Sequence, residues 1–202
     1  MTLIERIKQQ TMPEIILGID PGSRFTGYAV LTEEKGKLVA LRCDVLKMAH
    51  MEDHSDRLKY IFDQISGIIK SNSPTACAVE TPIYGVDPQA MLKLGRAQAA
   101  AILAIKNNNL PAFEYYPKEV KKAITGNGNA SKDQVAFMLD KMVTLPDEKL
   151  KNDATDALAV AWCHYMKGKG LPGVTKKKTH QNNKKSDWAS FVADNPDRVK
   201  GA

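Results

Sequence analysis

The sequence predicts an α/β layer fold with a mixed five-stranded sheet flanked by helices on both faces. Three observations lead there. Short apolar runs at 14–20 and 76–80 have the form of strands buried on both sides. Longer segments at 55–70 and 88–106 carry apolar residues at helical spacing. The two kinds follow one another as three strands, helix, strand, helix, strand, helices.

In the first run, EIILGID, only Gly18 interrupts the apolar residues before Asp20. Pro21-Gly22-Ser23 turns the chain. Phe25–Leu31 and Leu38–Leu46 are the next strands, separated by the polar turn Glu33–Lys37, so the first three strands form an antiparallel meander. From Ser55 the period changes: Leu58, Ile61, Phe62, Ile65, Ile68 and Ile69 share a helical face, and Ser71-Asn72-Ser73-Pro74 ends that helix. Ala76–Glu80 is a buried strand. The helix over 88–106 has a face of Leu94, Ala97, Ala101 and Ile105, small enough for another backbone to approach. Pro111–Tyr115 is the fifth strand and Lys118–Ile124 a short helix. Gly126–Asn129 is a loop, Ser131 an N-cap for a helix over 132–142, and Pro146 a break. Asn152 or Asp153 opens a last helix ending near Tyr165.

Composition narrows the function classes. The chain has 202 residues, 43% of them hydrophobic, enough for one domain with a tail. No apolar run reaches the roughly 18–20 residues that span a bilayer, and residues 1–11 lack the apolar core of a secretory signal. Cys43, Cys77 and Cys163 are odd in number and far apart, which suits a reducing cytoplasm and argues against a disulfide framework or zinc ribbon. There is no Walker P-loop and no Ser/His/Asp or Cys/His nucleophile set, so ATP hydrolysis is not expected. His50 and His54 are four apart, but two His without further ligands make no metal site. His164, near the end of the last helix, suits a dipole partner. Cys43 and Cys77 sit in apolar strands as packing residues.

The net charge of +6 is unevenly placed. Residues 166–202 hold nine Lys/Arg against three Asp, whereas residues 1–165 balance 20 against 20. A basic tail suits a polyanion such as nucleic acid, and equally a solubilising disordered end. The expected organisation is an extension over 1–13, a domain over 14–168 and a basic tail over 169–202, where Trp188 and Phe191 are able to dock locally.

Four acids stand out. Asp20 and Glu80 each end a buried strand, where open α/β sheets place ligands. Asp153 and Asp156 are three apart and share a helix face. Neighbouring strands lie about 4.8 Å apart, so adjacency of the first and fourth strands lets the two carboxylates meet, and the last helix adds two more. Such crowding raises carboxylate pKa values unless cations compensate, and oxygen-only ligation favours Mg²⁺ or Mn²⁺ over zinc. On spacing alone the plainer reading is the stronger one: Asp20 as a turn residue before Pro21, and Asp153 and Asp156 as ordinary first-turn helix acids.

The stretch IILGIDPGSRFTGYAV (15–30) changes that balance, because it resembles the RuvC family of Holliday-junction resolvases. Further blocks follow in family order: AVE (78–80), LKLGRAQAAAI (92–102), FEYYPKEVKKAITGNGNASKDQV (113–135) and NDATDALAVAWCH (152–164). The resemblance covers about residues 14–165 and implies an RNase H-like fold. It implies an endonuclease that cuts four-way DNA junctions in recombination and repair by symmetric paired nicks. It assigns Asp20, Glu80, Asp153 and Asp156 as catalytic, metal-binding acids for two Mg²⁺ or Mn²⁺ ions per site, with 5′-phosphate and 3′-hydroxyl products. It implies a homodimer, with the small face of helix 88–106 resembling the dimer contact, and RuvA and RuvB as branch-migration partners.

Lys118, Lys121 and Lys132 match the family's DNA-backbone positions, and Lys122 adjoins them. The family often has Gln next to the catalytic Glu and an aromatic two residues on. Here Thr81-Pro82 follow Glu80, Ile83 takes the aromatic's place, and Tyr84 stands beside it, so Ile83 or Tyr84 is the candidate wedge at the junction centre. Two alternatives keep the same residues: a related nuclease acting on RNA or other branched DNA, and a junction-binding scaffold without turnover.

Overall fold

The computed structural model describes residues 14–83, 85, 87–146 and 152–170. The extension over 1–13, Tyr84 and the tail beyond 170 lie outside the described residues.

The strands are β1 (Ile16–Asp20), β2 (Phe25–Glu34), β3 (Lys37–Lys47), β4 (Ala76–Glu80), β5 (Ala112–Tyr115) and β6 (Val143–Thr144). The helices are α1 (His54–Asn72), α2 (Pro88–Asn107), α3 (Pro117–Thr125), α4 (Lys132–Met142) and α5 (Asn152–Gly168). The sheet order is β5-β4-β1-β2-β3-β6. β1–β2–β3 form the expected antiparallel meander. Lys35 and Gly36, both at positive φ, make its tight two-residue turn. β4 pairs parallel with β1 and with β5.

The sheet has six strands rather than the five expected. Val143 and Thr144 leave α4 extended and pair parallel with Leu38 and Val39 of β3. Two residues between a helix and Pro146 carry no period of their own, so the pairing decides their state.

Alternation along the strands builds two cores. Leu17, Ile19, Val30, Cys77 and Val79 face α1 and α2. Ile16, Ala29, Leu31 and Ala78 face the other way, with α3, α4 and α5. α1, α2 and α4 begin where the sequence supplies a side-chain cap. The Asp53 carboxylate accepts from Ser55 N (2.5 Å) and Asp56 N, Asp87 caps α2 just before Pro88, and Ser131 forms a capping box with Gln134. Ser73, in the left-handed region, closes α1.

The small face of α2 is spent inside this fold. Ala97, Ala101 and Ile105 are fully buried against the sheet, and Leu94 is half-buried. That face is core rather than a free contact surface. The outward face of the same helix exposes Leu92 and Leu103 instead.

α5 is buried nearly all round, from Ala154 to Tyr165. It lies across the sheet at unusually short range. A Cβ placed on Gly18 would stand 2.1 Å from the Ala157 carbonyl oxygen, and one on Gly27 would stand 1.9 Å from that of Asp153. Glycine in a strand interior here marks the close approach of another backbone.

Candidate functional site: an acidic centre at the strand ends

Parallel pairing of β1 with β4 brings Asp20 and Glu80 to the same end of two neighbouring strands. Gly18 and Ala78 face α5, so two residues on, Asp20 and Glu80 face it as well. The first turn of α5 supplies Asp153 and Asp156, and Gly27 of β2 lets that turn settle beside Asp20, its register partner. Asp20, Asp153 and Asp156 each offer a carboxylate oxygen, and these oxygens lie within 4.8 Å of one another. Glu80 stands outside that group of three. It lines, with Asp20 and Asp156, a cleft of about 270 Å³ whose walls include Pro117, Lys121, Lys132 and Val135.

The electrostatics follow from this crowding. Burial and the charges of Asp156 and Asp153 push the Asp20 carboxyl up to about 7. Burial and the charges of Asp20 and Asp156 push Glu80 up to about 8. Lys132 opposes both shifts. Its ammonium donates to Asp156 Oδ2 at 2.5 Å, and that contact holds its own pKa above the ordinary lysine value. The centre therefore has an excess of mutually repelling carboxylates and one direct ammonium contact. Oxygen-only donors in such a cluster fit a hard divalent cation, which relieves the repulsion that burial intensifies. Asp20, Asp153 and Asp156 are close enough together to hold such an ion, and Glu80 lines the same cleft as Asp20 and Asp156.

The predicted basic residues separate into two groups. Lys121 and Lys132 line the cleft. Lys118 and Lys122 are exposed on α3, one turn from Lys121's neighbours, with the Gly126–Asn129 loop against the Lys118 backbone. Ile83 is 54% exposed, three residues beyond Glu80. The start of its segment is tied down: Thr81 N donates to the Tyr115 carbonyl at 2.8 Å. Gln98 Nε2 donates to Glu114 Oε2 at 2.7 Å and reaches Thr81 Oγ1 at 3.4 Å.

Other candidates resolve into packing roles. His164 shares a hydrogen bond with Tyr115 Oη at 2.7 Å and lies against Phe113. Burial lowers its pKa, so it is a neutral partner within the core rather than a charged group serving the helix dipole. All three cysteines are free, and burial pushes Cys43 and Cys77 up to about 12 and Cys163 to about 11, which leaves them unreactive thiols. His54 opens α1 and belongs to no group of three or more candidate metal ligands among the described residues. Of the glycines that admit α5, the sequence marks Gly18 only as an interruption of an apolar run and gives Gly27 no separate signal.

A mixed sheet with antiparallel β1–β2–β3, carboxylates gathered at its strand ends and lysines on the cleft wall, defines an RNase H-like nuclease. The family model described as crossover junction endodeoxyribonuclease RuvC matches residues 16–164. The chain belongs to that family. It is 46% identical over 185 residues to the crossover junction endodeoxyribonuclease RuvC of Salinibacter ruber, covering 92% of this chain and 98% of that one. It is 40% identical over 198 residues to the protein of the same description from Cytophaga hutchinsonii, covering 98% and 94%. Among solved structures, the Thermus thermophilus RuvC in complex with Holliday junction substrate superimposes with a TM-score of 0.72 at 28% identity, covering 78% of this chain and 96% of that one.

Proposed function

We propose that this chain is a crossover junction endodeoxyribonuclease that resolves four-way DNA junctions by symmetric paired nicks. The observation that carries the reading is the convergence of Asp20, Asp153 and Asp156 beside Glu80 in one cleft, in a chain of the RuvC family. Residues 14–168 form the nuclease domain in this reading.

The four acids hold the metal. Two Mg²⁺ or Mn²⁺ ions held there would supply activation of the attacking water and stabilisation of the leaving oxygen. The chain's own residues do the rest. Lys132 keeps Asp156 oriented through their 2.5 Å contact. Lys121 and Lys132 meet phosphate in the cleft, and Lys118 and Lys122 extend the basic surface along α3, positioning the substrate without reading sequence. Ile83, exposed three residues beyond Glu80, or its sequence neighbour Tyr84 serves as the unstacking wedge at the junction centre.

Two symmetric nicks require two sites related by a two-fold axis, which supports a homodimer. Because the small face of α2 is internal, its outward face with Leu92 and Leu103 is the surface offered to the second copy. RuvA and RuvB remain the partners that family membership suggests. No helix among the described residues is long and apolar enough to cross a membrane, and the three free thiols support a cytoplasmic setting.

The test is cleavage of an end-labelled synthetic four-way junction with Mg²⁺ or Mn²⁺, with Asp20→Asn alongside. Duplex, flap and RNA–DNA hybrid substrates run in parallel. Paired nicks at symmetric positions, absent from the variant, are expected. Faster cutting of a hybrid or flap would move the substrate class, and tight binding without nicking under either metal would make the chain a scaffold.

A further inference from the structure

At the far end of α5 from the acids lies a second, larger recess of about 820 Å³. Its floor is Leu38, Met142, Val143 and Trp162, and Lys37 and Lys141 stand on its rim. Trp162 lies six residues along α5 from Asp156, about 9 Å at the helical rise, so this recess is separate from the acidic cleft. The sequence beyond 170 has a composition that answers it. Residues 171–185 carry five lysines and no acid, while residues 186–197 carry three aspartates, no Lys or Arg, and the tail's large aromatics. In that acidic part Trp188, Phe191 and Val192 stand at i, i+3 and i+4, a spacing that aligns them on one face of a helical turn.

We propose that residues 186–197 dock in cis into this recess, with Trp188 and Phe191 on its apolar floor and the aspartates toward Lys37 and Lys141. Three observations carry the assignment. The described chain ends beside the recess: Tyr165 lines it, and Lys169 and Tyr165 both bond to Glu33 on the neighbouring hairpin. A connection of the length of residues 171–187 reaches about 20–25 Å, enough to turn back and to hold the segment at a high effective concentration. The rim carries Lys37 and Lys141 against Asp140, which pairs with Lys141 at 3.5 Å, and so keeps a net positive charge toward the three aspartates. Docking in this way makes the lysine-rich stretch 176–185 a closed loop on the surface, fixed at both ends.

Hydrogen–deuterium exchange on the full chain tests this, comparing wild type with Trp188→Ala/Phe191→Ala. In wild type, peptides covering Lys37–Val39 and Lys141–Leu145 are expected to exchange at least about threefold more slowly than in the variant, with peptides around Asp20 unchanged. Equal exchange in the two proteins would overturn docking. Protection that weakens on tenfold dilution would assign the segment to a second copy's recess and overturn the cis arrangement. The variant's intact exchange elsewhere separates loss of docking from misfolding.

Discussion

Neutralising one acid of the centre is expected to stabilise the metal-free protein while destroying its activity. The perturbation is Asp20→Asn, which keeps the shape and removes the charge. Asp20 titrates near 7 in the folded chain against 3.8 for a free carboxyl. At about 1.4 kcal/mol per pKa unit, ionising it in the fold costs up to about 4 kcal/mol. Solvent reaching a half-buried group reduces this, and about 2 kcal/mol is the working figure. For a protein of this size that is a rise of about 4–8 °C in Tm. The sign is fixed by linkage. A carboxyl whose folded pKa is raised destabilises the fold above its unfolded pKa, increasingly up to its folded pKa and fully beyond it. The variant's advantage is therefore largest at pH 8.5, smaller at pH 5, and lost below the unfolded pKa. Calorimetry in EDTA at the two pH values measures it, with junction cleavage followed in parallel. An unchanged or lower Tm for the variant at pH 8.5 would refute the argument that these carboxylates are held together against their repulsion.

Metal binding should displace protons held by Asp20 and Glu80 near neutral pH. Calorimetric titration of Mg²⁺ in buffers of different ionisation enthalpy is expected to show proton release at pH 6.5 that disappears by pH 9.5, with affinity rising between. Gly27→Ala drives a methyl into the Asp153 carbonyl. We expect a loss of about 2–4 kcal/mol in denaturant unfolding and cleavage reduced beyond what the unfolded fraction explains. Lys118→Ala and Lys121→Ala should each lower the salt slope of junction binding by about 0.9, read by fluorescence anisotropy across an ionic-strength series. A slope that does not change would remove that lysine from the phosphate surface.

Much of this arrangement was legible before the structure, and what was not has a physical reason. The runs ending at Asp20 and Glu80 announced two buried strands, and their parallel adjacency is what joins the two acids. The spacing of Asp153 and Asp156 gave a shared helix face without saying what that face met. The answer depends on Gly18 and Gly27, whose missing side chains have meaning only once α5 is laid across them. The small face of α2 was legible as a site of close approach, but a periodic pattern cannot tell the protein's own sheet from another molecule. β6 is two residues long and exists only because β3 offers it an edge. The Lys132–Asp156 contact joins residues 24 apart, and no local rule reports it.

The placement of α5 has a consequence for how the enzyme is made. The acids come from three stretches of chain, and the pair on α5 is translated last, after every strand of the sheet. A nascent chain that stops short of residue 152 has its first two carboxylates and lacks the pair that closes the centre. The helix that completes the acidic group also fills the sheet's open face, so the gathering of the acids and the completion of the core are one event. A molecule clipped before residue 152 is likewise left without that pair, whereas one clipped beyond Gly168 keeps all four acids.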